Sequence, residues 1–129
     1  LKPHMLMIEE TWLDQSTAHV HIPGDVEISR RDRSGFENRR GIIAFRRVDV
    51  INIVEVRRSA VAQRCWFLLM SDTGNILVAN WYRPRSSDDD HVTSFRLELD
   101  ELMPSATGCA VAGDLNIHDK KLLRYPNND

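Results

Sequence analysis

The chain has 129 residues, 42% of them hydrophobic and 28% charged, with 17 Lys and Arg against 19 Asp and Glu and a formal net charge of −2. That is one domain's worth of chain with an ordinary globular composition. No apolar stretch reaches the length of a membrane span and the start has no basic-then-apolar leader pattern, so no membrane partner is expected, while the two cysteines, read as reduced, suit an intracellular setting.

In chain order, residues 5–9 form an apolar strand that ends on acid, and a weaker helical stretch covers 12–18. Strands are expected at 26–30, 41–46, 50–57, 65–71, 76–81 and 109–112. Residues 71–75, Ser-Asp-Thr-Gly-Asn, carry a hairpin turn signal between two apolar runs. Val50, Asn52, Val54 and Val56 against Ile51, Ile53 and Glu55 leave both faces partly apolar, as in a strand inside a sandwich. The clear helix is capped by Ser87, with Asp90 three residues on. It places Val92, Phe95, Leu99 and Leu102 on one face and stops at Pro104. One helix among many strands predicts a layered α/β fold.

Cys65 and Cys109 both sit in strand-like apolar runs and are expected as reduced core residues. Trp12, Trp66 and Trp81 are likewise expected in the core. His19 and His21 have a spacing compatible with zinc but no evident third ligand. Arginines cluster as Arg30-Arg31, Arg39-Arg40, Arg46-Arg47 and Arg57-Arg58. Such pairs suit phosphate contact, or equally a solvated face. There is no P-loop, GxGxxG or CxxC.

The segment most suggestive of chemistry is Cys109-Ala110-Val111-Ala112-Gly113-Asp114-Leu115-Asn116, read as a short buried strand ending on a carboxylate and an amide. On extended chain Asp114 and Asn116 point the same way, one able to hold a metal or water and the other to donate to an anion. Glu10 ends the first strand in the same manner, with Glu9 on the opposite face. Two such ends converge only if their strands belong to one layered core.

These residues also carry a family resemblance. Ile8-Glu9-Glu10-Thr11-Trp12-Leu13 resembles the QETWL segment of the endonuclease/exonuclease/phosphatase superfamily. Asn80-Trp81-Tyr82-Arg83-Pro84 resembles its YRP segment, and Gly113-Asp114-Leu115-Asn116-Ile117-His118 its GDFNxH segment, in the same order. Arg31-Asp32-Arg33 followed by Arg40-Gly41-Ile42-Ile43-Ala44-Phe45-Arg46 is similar to a stretch of the apurinic-like endonuclease domain of non-LTR retrotransposons, which precedes a reverse transcriptase.

The resemblance implies a layered α/β sandwich of the deoxyribonuclease/apurinic-endonuclease type. It implies Mg2+-dependent phosphodiester hydrolysis (Mn2+ serving as well), DNA as substrate, fusion to a reverse transcriptase and a nuclear location. In it Glu10 holds the metal, Asp114 orients or deprotonates the attacking water, and Asn116 holds that water or a phosphate oxygen. Tyr82 contacts the phosphate, while Arg83, His118, Arg39 and Arg40 meet the nucleic-acid backbone. The family also has an earlier strand bearing an asparagine and later strands bearing an aspartate and a histidine. On that ground residues 1–129 read as a partial domain, incomplete at both ends and inactive alone. The alternatives are a non-catalytic nucleic-acid-binding remnant and a phosphatase of the same fold acting on a small phosphorylated substrate.

Overall fold

The computed structural model describes residues 2–32, 41–85 and 89–117. The expected Ser87 cap therefore lies outside the described residues. The elements are β1 (Met5–Glu9), β2 (Asp25–Asp32), β3 (Gly41–Arg47), β4 (Ile53–Arg58), β5 (Gln63–Leu69), β6 (Ile76–Tyr82), α1 (Asp90–Leu102), a 3-10 turn (Met103–Ser105) and β7 (Gly108–Ala112). They make a three-stranded antiparallel sheet of order β1-β3-β2 and a four-stranded sheet of order β4-β5-β6-β7, in which β7 runs parallel to β6. The protein is sheet-rich, with a single short helix among the described residues.

Period-2 alternation along β5 explains how the sheets and helix stack. Cys65 and Phe67 join Ile42, Ala44, Val50, Ile53 and Tyr82 in one core, against which Met5, Met7 and Ile28 of the other sheet pack. Trp66 and Leu68, the alternate residues, join Leu77 and Ala79 under Phe95, Leu99 and Leu102 of α1. The four-stranded sheet is thus covered by the other sheet on one face and by the helix on the other.

The helix face differs from the apolar face expected in the sequence at two positions. Val92 is exposed, and Glu98 is the residue that is buried. Beneath the helix, Arg64 is fully enclosed. Its Nε donates to Glu98 Oε2 at 2.7 Å, and Trp66 Nε1 donates to the same oxygen at 2.8 Å. Arg64 also donates to Ser94 Oγ and lies over the Trp81 ring, 4.5 Å from its centre. Phe95 stacks between Trp66 and Trp81. Burial opposes ionisation of Glu98, but the hydrogen bonds from Arg64, Trp66 and Ser59 hold its carboxyl below the ordinary range.

Three further expectations are corrected. The 12–18 helix is absent; the segment is irregular around a turn at Gln15 and Ser16, because Asp14 Oδ1 accepts from the Ser16 backbone N–H at 2.8 Å and closes a local loop. β4 is an edge strand with a bulge between Glu55 and Arg57, and Val54 and Val56 face water. β7 is exposed along most of its length, Cys109 included, and forms the opposite edge of the sheet. Cys65, by contrast, is buried as expected.

Most of the arginine pairs are consumed in holding the fold. Arg30 forms a two-bonded pair with Asp32 and donates to the carbonyls of Asp14 and Thr17, which fastens the 14–18 loop to β2. Arg31 donates to the carbonyls of Ser59 and Ala62, tying β2 to the loop between β4 and β5, and Arg46 donates to that of Val50, closing the turn after β3. Arg47 pairs with Asp49, Arg57 with Glu101 and Arg58 with Glu55. Arg39 and Arg40 lie outside the described residues.

Candidate functional site

The ends of β1, β6 and β7 meet at one rim. Glu9, last residue of β1, reaches across from the first sheet, and its Oε2 accepts the backbone N–H of Asp114 at 2.7 Å, 105 positions away in sequence. Arg83, just past β6, donates its backbone N–H to the Asp114 carbonyl at 2.8 Å. The Asn116 side-chain amide in turn donates to the Arg83 carbonyl at 2.6 Å. Three segments singled out in the sequence are therefore stitched together through the backbone of Asp114 and Arg83.

The loop after β7 is not extended. Gly113 has φ +136° and Asn116 φ +48°, and Asp114 Oδ1 accepts the Asn116 backbone N–H at 2.9 Å, a turn of the kind Asp and Asn favour. Asp114 and Asn116 consequently do not point the same way as residues of a strand. A Cβ at position 113 would overlap Glu9 Oε1 and the Trp81 carbonyl, so glycine is what lets the loop approach β1 this closely.

Left-handed backbone gathers at this rim. Among the described residues the non-glycine positions with positive φ are Glu10, Trp12 and Asn116. Asn tolerates that region; Glu and Trp pay on the order of 1–2 kcal/mol each. Strain of this sort accumulates where the surrounding structure demands a particular side-chain direction. Glu10 is exposed beyond the end of β1. Trp12, expected in the core, is 57% exposed, because the chain turns out of the sheet after Glu9.

Glu9, set on the opposite face from Glu10 in the sequence, is the most perturbed acid here. Its pKa is raised to about 7, first by burial and then by the neighbouring Asp114 and Glu10 charges, against the opposing Asp114 N–H bond. Its Oε1 is shut off from solvent and has no hydrogen-bond partner among the described residues. The signal available in sequence was only the departure from the family pattern, a glutamate where glutamine is usual.

The other residues named from sequence fall as follows. Tyr82 ends β6 and is 6% exposed, a member of the core between the sheets. Arg83 is half-buried, and its Nε has no hydrogen-bond partner among the described residues. Arg85, not anticipated, donates Nε to Asn116 Oδ1 at 3.4 Å. His118 lies outside the described residues. No protein-family model and no curated protein matches this chain significantly.

The donor set is hard oxygen: the carboxylates of Glu10 and Asp114 with the amide of Asn116. No group of three His, Cys, Asp or Glu among the described residues is close enough to cage a metal ion. Magnesium does not require such a cage, since it keeps several waters and is held by one or two carboxylates.

A pH prediction follows from Glu9. A carboxyl whose folded pKa lies above its unfolded value favours the folded state while protonated. Its contribution is complete below about 4.5 and lost as pH rises through about 7. The rise converts to about 3 kcal/mol, which solvent contact reduces to about 1–2 kcal/mol. Glu9→Gln keeps an acceptor for the Asp114 N–H without the charge. In EDTA, urea unfolding is expected to show Glu9→Gln more stable than the wild type by about that amount at pH 8 and equal to it at pH 4.

Proposed function

We propose that this chain carries the metal- and phosphate-binding rim of a Mg2+-dependent phosphodiesterase that nicks DNA, similar to the apurinic-like endonuclease domain of non-LTR retrotransposons, within a layered α/β sandwich of the deoxyribonuclease type. The observation that supports it most is the Glu9–Asp114 hydrogen bond, which brings the first and last motif segments together across the two sheets. Glu10 would hold the ion, which when bound would offset negative charge on the phosphate and polarise a water. Asp114, its Oδ1 already engaged by the Asn116 N–H, has its other oxygen to orient or deprotonate that water. Asn116, Arg83 and Arg85 would donate to phosphate oxygens. A nuclear location and fusion to a reverse transcriptase belong to the same proposal.

The resemblance also assigns the catalytic unit a histidine and a second acid from a Ser-Asp-His segment. Catalytic groups of this kind act as a unit, and losing one costs on the order of a hundredfold or more in rate. The test measures duplex DNA binding and supercoiled-plasmid nicking by residues 1–129 with and without Mg2+. DNA binding that requires Mg2+ and is lost in Glu10→Gln, with no appreciable nicking, is the expected result. Binding that falls steeply with salt and ignores Mg2+ replaces the proposal by a non-catalytic nucleic-acid-binding remnant. Clean metal-dependent nicking overturns the expectation that this chain is inactive alone.

A further inference from the structure

Resting on that reading of the site, we infer that Glu9 is a positioning residue: its carboxylate holds the Gly113–Asn116 loop against the end of β1, so that Asp114 and Asn116 address the same ion and phosphate as Glu10. Each polar group of Asp114 that the fold engages is satisfied from a different segment. The N–H goes to Glu9, the C=O accepts from the Arg83 N–H, and Oδ1 accepts from the Asn116 N–H. Of these, the Glu9 bond alone spans the two sheets. The Arg83 bond fixes the loop to its own sheet, and the Asn116 bond shapes the turn internally. Without Glu9 the loop keeps its form but loses its registration to β1, hence to Glu10.

Two details separate this from an incidental contact. Gly113 leaves no Cβ where one would strike Glu9 Oε1, so the loop is built for the carboxyl to come in close. Glu9 is also half-buried at this junction, with Oε1 shut off from solvent, a cost that a surface acid would avoid. Glutamine, the residue usual in the resembled family, presents the same acceptor with no charge, which makes the acceptor, rather than the charge, the feature that matters.

The experiment compares wild type, Glu9→Gln, Glu9→Ala and Glu9→Met for Mg2+-dependent duplex affinity by fluorescence anisotropy, with the Asp114 amide followed by 1H–15N NMR and the melting temperature recorded. Glu9→Met retains the length and apolar packing of the side chain and serves if the alanine variant does not fold. The expected result is a loss of roughly tenfold in Mg2+-dependent affinity and an upfield shift of the Asp114 amide in the alanine and methionine variants, with Glu9→Gln within about twofold of wild type and its amide unmoved. Wild-type affinity in the folded methionine variant overturns the positioning role while leaving the proposed site standing. Absence of Mg2+-dependent binding in the wild type overturns the proposed function and this role with it; an amide shift seen alone then assigns Glu9 a structural bond only.

Discussion

Glu98→Ala is expected to lower the melting temperature by roughly 10–20 °C, corresponding to about 3–5 kcal/mol, the usual cost of removing one partner of a buried ion pair. Arg64 is completely enclosed, and Glu98 is 8% exposed. Alanine at 98 strands the guanidinium under α1 and leaves Trp66 Nε1 without its acceptor. Ser94 Oγ and the His91 carbonyl remain as neutral partners for Arg64 and cannot replace the charge. The double replacement Arg64→Met with Glu98→Leu is expected to cost less than Glu98→Ala alone, because it removes both charges and keeps the volume. Calorimetric melting of the three proteins decides it: a Glu98→Ala protein within 3 °C of wild type removes the pair from any account of stability.

That pair also shows where periodicity stops being informative. A 3.6-residue reading of α1 finds Phe95, Leu99 and Leu102, which do face the core, but it rejects Glu98, which is buried, and accepts Val92, which is not. The reason lies on another element. Arg64 of β5 is enclosed against the rings of Trp81 and Phe95, and the carboxylate of Glu98 on the facing helix satisfies it. β1 is legible to the residue because four apolar positions end on two acids; β7 is legible as a strand from its apolar run, but its exposure depends on what covers the sheet edge, which a local pattern does not contain. The segment after β1 reads as a helix by composition and is a loop, since Arg30 takes up the Asp14 and Thr17 carbonyls that a helix would have used internally. At the rim, motif spacing brought Asp114, Asn116, Arg83 and Glu10 to attention. It could not rank Glu9 above Glu10 as the residue that joins the sheets, because β1 ends at Glu9 and the chain turns left-handed at Glu10, so the alternation of faces no longer applies there.

Gly113→Ala is expected to be the most damaging small change at the rim. Position 113 has φ +136°, where an L-residue costs about 1–3 kcal/mol, and the added Cβ meets the Trp81 carbonyl and Glu9 Oε1, for an overpacking cost of about 1–3 kcal/mol more. The Trp81 contact is with backbone of β6 and cannot yield without bending the strand. The Glu9 contact is with the end of a side chain and can yield, but only by releasing the Asp114 N–H. The two variants are therefore coupled. In a Glu9→Ala background, Gly113→Ala is expected to cost measurably less than alone, by about 1 kcal/mol, since one of the two collisions has gone. Urea unfolding of the wild type, both single variants and the double variant gives that coupling. Strict additivity would mean that Glu9 does not approach Gly113 in solution. The remaining cost in the double variant then measures how firmly the β7 loop is held against β6 alone.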